Sequence, residues 1–109
     1  MKKLILIILA IFILSGCTKE MTEIEKILDE NNYIIVDVRT EEEYNQGHVK
    51  NSINIPYDVI GEYEFDKDKM ILVYCKSGKR SSIAFNTLIE AGYNVYDLGA
   101  YQNIDLPKE

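Results

Sequence analysis

Cysteine and histidine are scarce in this chain, with two of the first and one of the second among 109 residues. So few thiol and imidazole ligands leave a metal site poorly supplied, and none is expected. Positive charge is also in deficit, with 12 Lys and Arg against 18 Asp and Glu and a net charge of −6. That balance disfavours nucleic acid and anionic lipid as general partners. Repeats and low-complexity tracts are missing, and the length suits a single domain. No apolar run reaches the ~20 residues of a comfortable bilayer span. The longest, Leu4 to Leu14, has eleven.

That run follows Met1-Lys2-Lys3 and precedes Ser15-Gly16-Cys17. A basic start, a short apolar stretch and small residues before a cut are the grammar of a secretory signal. A buried core helix would instead be amphipathic, and this run is apolar all round. Leu14-Ser15-Gly16-Cys17 resembles a bacterial lipobox, which implies a lipid on the Cys17 thiol and cleavage just before it. The expected organisation is a signal peptide at 1–16, a lipidated tether at 17–22 and a domain at 23–109. The expected location is extracytoplasmic, on the membrane of a bacterial cell envelope. Cleavage leaves 93 residues with ten basic and eighteen acidic side chains, net −8. Such a domain stands off an anionic surface and touches the membrane only through its lipid. It also keeps a single thiol, Cys75, and no internal disulfide.

Thr22 with Glu25 reads as a capping box, followed by Ile24, Ile27 and Leu28 at helical spacing, with a stop near Asn31-Asn32. Tyr33 to Val38 is a short β-branched run, apolar on both faces up to Asp37, which suits a buried parallel strand. Thr40 with Glu43 repeats the capping box, and Gly47 is expected to end that helix in the left-handed conformation. Ser52 to Ile55 reads as a second strand and 57–69 as a surface connection. Met70 to Tyr74 is a third strand. A helix over Ser81 to Ala91 is expected to bury Ile83, Ala84, Thr87 and Leu88 and to stop at Gly92. Asn94 to Leu98 is the fourth strand. Alternating strands and helices imply an α/β fold with a mainly parallel sheet and helices on both faces. In such sheets sites form at the carboxyl ends of strands, where Cys75 falls.

Cys75-Lys76-Ser77-Gly78-Lys79-Arg80-Ser81 carries the chemistry. A Cys at a strand end, then a Gly turn and a helix start, sets sulfur among backbone N–H groups and the positive end of a helix. Lys76, Lys79 and Arg80 add cations. Each effect favours thiolate, the nucleophilic form. The same donors, with the hydroxyls of Ser77 and Ser81, would hold an incoming anion.

This segment resembles the active-site loop of the rhodanese family, often Cys-x-x-Gly-x-Arg-Ser, at Cys75, Gly78, Arg80 and Ser81. A second set agrees in order and spacing: Asp37-Val38-Arg39, Glu43-Tyr44, Gly47-His48-Val49 and Asn54-Ile55-Pro56. The resemblance covers roughly residues 33–99. The chain departs where the family usually has Gly-Gly and then Trp, with Gly99-Ala100 and Ile104 instead, and no strand is legible before the first helix. Related phosphatases and arsenate reductases separate Cys and Arg by five residues. Four lie between Cys75 and Arg80, a loop suited to sulfur more than to phosphate.

The resemblance implies a small rhodanese-like sulfurtransferase that needs no metal or organic cofactor. Cys75 would take sulfane sulfur from a small anion such as thiosulfate as a persulfide, then pass it to a thiol or cyanide. Lys76, Ser77, Gly78, Lys79, Arg80 and Ser81 would bind the substrate. Asp37 and Arg39 are read as structural braces of the neighbouring loops. His48 is read as a turn residue, and Glu41-Glu42-Glu43 as a solvated first helical turn that suits the helix dipole. Two other readings are weighed: a non-catalytic binding or redox-sensing module, and a phosphatase or arsenate reductase.

Overall fold

In the computed structural model, residues 21–109 are described. The expected signal peptide, Cys17 and most of the expected tether lie outside the described residues. Thr22, the last tether residue, is already part of the domain. Its hydroxyl oxygen accepts from Glu25 N, and Glu25 reaches back to the Thr22 N–H, closing the expected capping box over helix α1, Glu23–Glu30. Asn31 ends α1 in the left-handed region, at φ 53° and ψ 35°. Strand β1, Tyr33–Asp37, follows. Helix α2, Glu41–Gln46, starts from the second capping box, Thr40 with Glu43.

Strand β2 is only Ile53–Asn54, β3 is Met70–Cys75, helix α3 is Lys79–Glu90 and β4 is Asn94–Ala100. All pairings in the sheet are parallel, in the order β2-β1-β3-β4. The fold is therefore the expected α/β arrangement. Strands β1 and β3 are central, and their near-continuous apolar runs are what burial on both faces requires. One face holds Val36, Val38, Ile71, Val73, Ala84 and Leu88 beneath α3. The other holds Ile27 of α1 with Ile35, Leu72 and Ile104. Helices thus cover both faces.

From β1 the chain adds β2 on one side and β3 on the other, so the strand order reverses between β1 and β3. That switch point opens a crevice at the carboxyl ends of the two strands. Asp37 ends one and Cys75 ends the other.

The structure differs from expectation in four places. Gly47 has φ 154° and ψ 139°, outside the left-handed helical region. Helix α3 starts at Lys79, two residues earlier than expected, and Ile83 on it is 45% exposed. Its buried residues are Ser81, Ala84 and Leu88, a stripe at i, i+3 and i+7 that turns Ile83 outward. The connection 57–69 is not all surface. A short 3₁₀ turn, Ile60–Glu62, plugs fully buried Ile60 into the α3 face of the core. Finally, β4 runs to Ala100 with a bulge: Val73 pairs with Asp97 and Tyr74 with Gly99, leaving Leu98 extra. Gly99 takes φ +82° there, and its N–H donates to Asp97 Oδ1 at 2.8 Å.

Candidate active site

The loop after β3 is built around the Cys75 sulfur. Strand β3 delivers Cys75 to the crevice fully buried, and it is the free cysteine among the described residues. The chain then reverses within three residues through Gly78, at φ 94° and ψ −11°, which caps α3. An L side chain rarely adopts that conformation, so glycine is needed here. The reversal aims the Gly78 N–H at sulfur, 3.0 Å away. One helical turn on, Ser81 sits below it, and the Cys75 thiol donates to Ser81 Oγ at 3.6 Å. The Ser81 hydroxyl in turn donates to the Gly78 carbonyl at 3.1 Å.

Burial alone would push the Cys75 thiol up. The Ser81 N–H and hydroxyl, with the N–H groups of Gly78 and Ser77, outweigh burial and hold its pKa below that of an ordinary thiol. Alkylation by iodoacetamide should therefore rise with pH through a midpoint lower than that of a free cysteine, because only the thiolate reacts. When the thiol ionises, the Ser81 hydroxyl turns its hydrogen from the Gly78 carbonyl to the sulfur, and Ser81→Ala removes that donor. The midpoint should move upward and alkylation at neutral pH should slow by about three- to tenfold, the net scale of one hydrogen bond. A pH–rate curve that does not move on this substitution would remove Ser81 from the account.

Of the expected substrate ligands, Gly78 bonds to the sulfur through its backbone N–H, and the N–H groups of Ser77 and Ser81 join it in stabilising the thiolate. Lys76 and Lys79 are exposed, and Lys76 faces a hollow of about 260 Å³ shared with Arg39, Glu43, Gln46, Gly47, Tyr101 and Gln102. Arg80 is not free. Its Nη1 and Nη2 donate to Glu43 Oε1 and Oε2 at 2.7 and 3.0 Å. The Arg80 bonds, opposed by burial and helped by Thr40, hold the Glu43 carboxyl down at about 2. Glu43, read from the sequence as solvated, is thus a member of the site. The Thr40-x-x-Glu43 box placed its backbone correctly, but nothing local pointed to a partner 37 residues away.

Asp37 and Arg39 form a buried ion pair at the carboxyl end of β1. Arg39 Nε donates to Asp37 Oδ1 and Oδ2 at 2.9 and 3.0 Å, and its Nη2 donates to Oδ2 at 2.6 Å. The same Nη2 donates to the Gly47 carbonyl at 2.6 Å, tying the end of α2 to β1. The guanidinium lies 4.4 Å from the Tyr101 ring centre. His48 is engaged elsewhere, stacked 3.8 Å from Tyr44 with Nδ1 bonded to the Tyr44 carbonyl at 2.9 Å. A larger hollow, about 410 Å³ between α1, β4 and residues 103–106, holds no residue of the Cys75 loop.

The rhodanese-like domain family matches residues 20–104 of this chain. The thiosulfate sulfurtransferase PspE of Escherichia coli (strain K12) is 38% identical over 78 residues, covering 67% of this chain and 75% of that protein. The tRNA uridine(34) hydroxylase of Erwinia tasmaniensis is 34% identical over 92 residues, 76% of this chain. The match covers only 26% of that larger protein. Among solved structures, a rhodanese with anions from E. coli superposes with a TM-score of 0.67 at 36% identity, covering 71% of this chain and 96% of the other. The reduced CoADR-RHD of Bacillus anthracis gives 0.63 at 38% identity, covering 73% of this chain and 14% of the other. On its sequence, its parallel sheet and its Cys loop alike, this chain belongs to the rhodanese-like domain family.

Proposed function

We propose that this domain is a rhodanese-type sulfurtransferase that carries sulfane sulfur on Cys75. The single observation behind this reading is the sulfur itself, buried at the switch point with its pKa held down by N–H groups of its own loop. The Cys75 thiolate attacks the outer sulfur of a donor such as thiosulfate. A new S–S bond forms, the donor's S–S bond breaks, and sulfite leaves with the electron pair. The persulfide anion takes the place of the thiolate among the same donors. A thiol or cyanide then attacks the outer sulfur and returns Cys75 as thiolate. A fully buried sulfur suits a narrow donor, whose reacting atom is a single terminal sulfur.

The direct test is mass spectrometry of the purified domain after thiosulfate. The Cys75 peptide should gain the mass of one sulfur atom and lose it again to cyanide. An unchanged peptide under a stoichiometric excess of donor would favour a binding or sensing role.

The reading extends to location: a domain held outside the cytoplasm by lipid on Cys17, reaching the membrane through that lipid alone. Cys17→Ala should abolish incorporation of labelled fatty acid and leave an uncleaved or shed protein. Unchanged incorporation would rule out Cys17 as the lipid site.

A further inference from the structure

Arg80 is the cation of the loop that is already paired, and the thiol chemistry alone does not explain why its fork is filled. Glu43 is fixed independently of it: Oε1 accepts from the Thr40 N–H and hydroxyl at 3.2 and 3.1 Å, as the third residue of α2. Arg80 then meets both carboxylate oxygens, and both side chains are 26% exposed. The pair is partly shielded and two-pronged, a geometry that holds better than an open surface contact. Lys76 and Lys79, the other cations after Cys75, are exposed and screened by water. A donor entering the loop therefore meets backbone N–H groups, two screened ammonium groups, and a guanidinium whose charge is already matched.

We propose that Glu43 sets the anion charge that the Cys75 loop accepts, by holding Arg80 in a neutralised pair at its rim. It is a positioning and specificity-determining residue, and the assignment rests on the sulfur-transfer reading above only for the name of the donor. The pair shifts preference away from dianions and toward singly charged sulfane donors of the thiosulfonate class, RSO₂S⁻. With such a donor the thiolate again takes the terminal sulfur, and sulfinate, RSO₂⁻, leaves with the electron pair. Charge and atoms balance as they do with thiosulfate. Glu43 also lines the hollow that Lys76 faces.

The test is equilibrium binding, which needs no turnover. Thiosulfate, a dianion, and methanethiosulfonate, a monoanion, are titrated calorimetrically into the domain carrying Cys75→Ser, with and without Glu43→Gln. Removing the carboxylate charge should tighten thiosulfate by about three- to tenfold, the scale of one screened charge contact. Methanethiosulfonate should tighten by clearly less. Glu43→Asp, which keeps the charge, should stay near the parent ratio, and added salt should shrink the difference. Arg80→Ala gives the opposite sign, because an unmatched Glu43 should weaken thiosulfate more than the monoanion. It serves equally if Glu43→Gln does not fold. Equal changes for both donors, or an unchanged ratio, overturn the proposal. Persulfide formation by the unsubstituted domain is read separately, so a Glu43-dependent ratio without any persulfide would sink the transfer reading and keep this one.

Discussion

Cys75→Ser should abolish the sulfur adduct while the domain melts within a few degrees of its parent. A serine hydroxyl is smaller than a thiol, so the fully buried site admits it without strain, and the Gly78 N–H and Ser81 hydroxyl remain as partners. The loss of packing from one sulfur is on the order of 1 kcal/mol or less. The chemical loss is of another order. A hydroxyl stays protonated near neutral pH, and four polarising N–H and O–H groups that suffice for a thiol do not ionise an alcohol. At least about a thousandfold loss in thiosulfate turnover is expected, the range for removing a covalent nucleophile. Arg80→Ala should behave differently, since it leaves the thiolate and its backbone donors in place. Comparing the two variants separates the nucleophile from its charged rim. Turnover within tenfold of the parent in Cys75→Ser would mean that another group carries the sulfur.

The parts of this molecule that were legible in the sequence are those set by neighbours along the chain. Both capping boxes, the turn at Gly78 and the Asp37-Val38-Arg39 brace span four residues or fewer. The central strands announced themselves because burial on both faces leaves room for apolar residues alone. What stayed hidden depends on the approach of distant segments. Arg80 finds Glu43 only because α2 and α3 both start from the carboxyl ends of neighbouring strands, at the switch point. Ile83 looked buried by hydropathy. The helix must instead present small residues, Ser81 and Ala84, to lie close over Cys75, and that fixes its rotation. Ile60 is hidden in a segment rich in charge. Its burial is decided by α3, where Thr87 packs so close that a Cβ on Gly61 would sit 3.1 Å from its methyl group.

Arg39→Ala should be the most destabilising of the single substitutions considered, by roughly 3–5 kcal/mol. Asp37 is fully buried, and three of the contacts that satisfy its carboxylate come from the Arg39 side chain. Truncation leaves that carboxylate with the Arg39 N–H, at 2.9 Å to Oδ1, and without its counter-charge. The Gly47 carbonyl loses its guanidinium donor in the same step, and the Tyr101 ring keeps Lys108 but loses Arg39 as a cation partner. A buried pair stabilises little when compared with two well-packed apolar residues, yet breaking it from one side is expensive, because the remaining ion has no water to return to. For a domain of this size the melting temperature should fall by about 10–30 °C. Arg39→Lys should recover only part of that, since an ammonium cannot span both carboxylate oxygens as the fork does. Persulfide formation per folded molecule should survive, because the Arg39 side chain bonds to Asp37 and the Gly47 carbonyl and not to the sulfur. Arg39 does, however, reach the wall of the hollow that Lys76 faces, so a direct role has a definite signature. An unchanged melting temperature together with lost thiosulfate turnover would place the Arg39 guanidinium on the substrate and remove it from the brace.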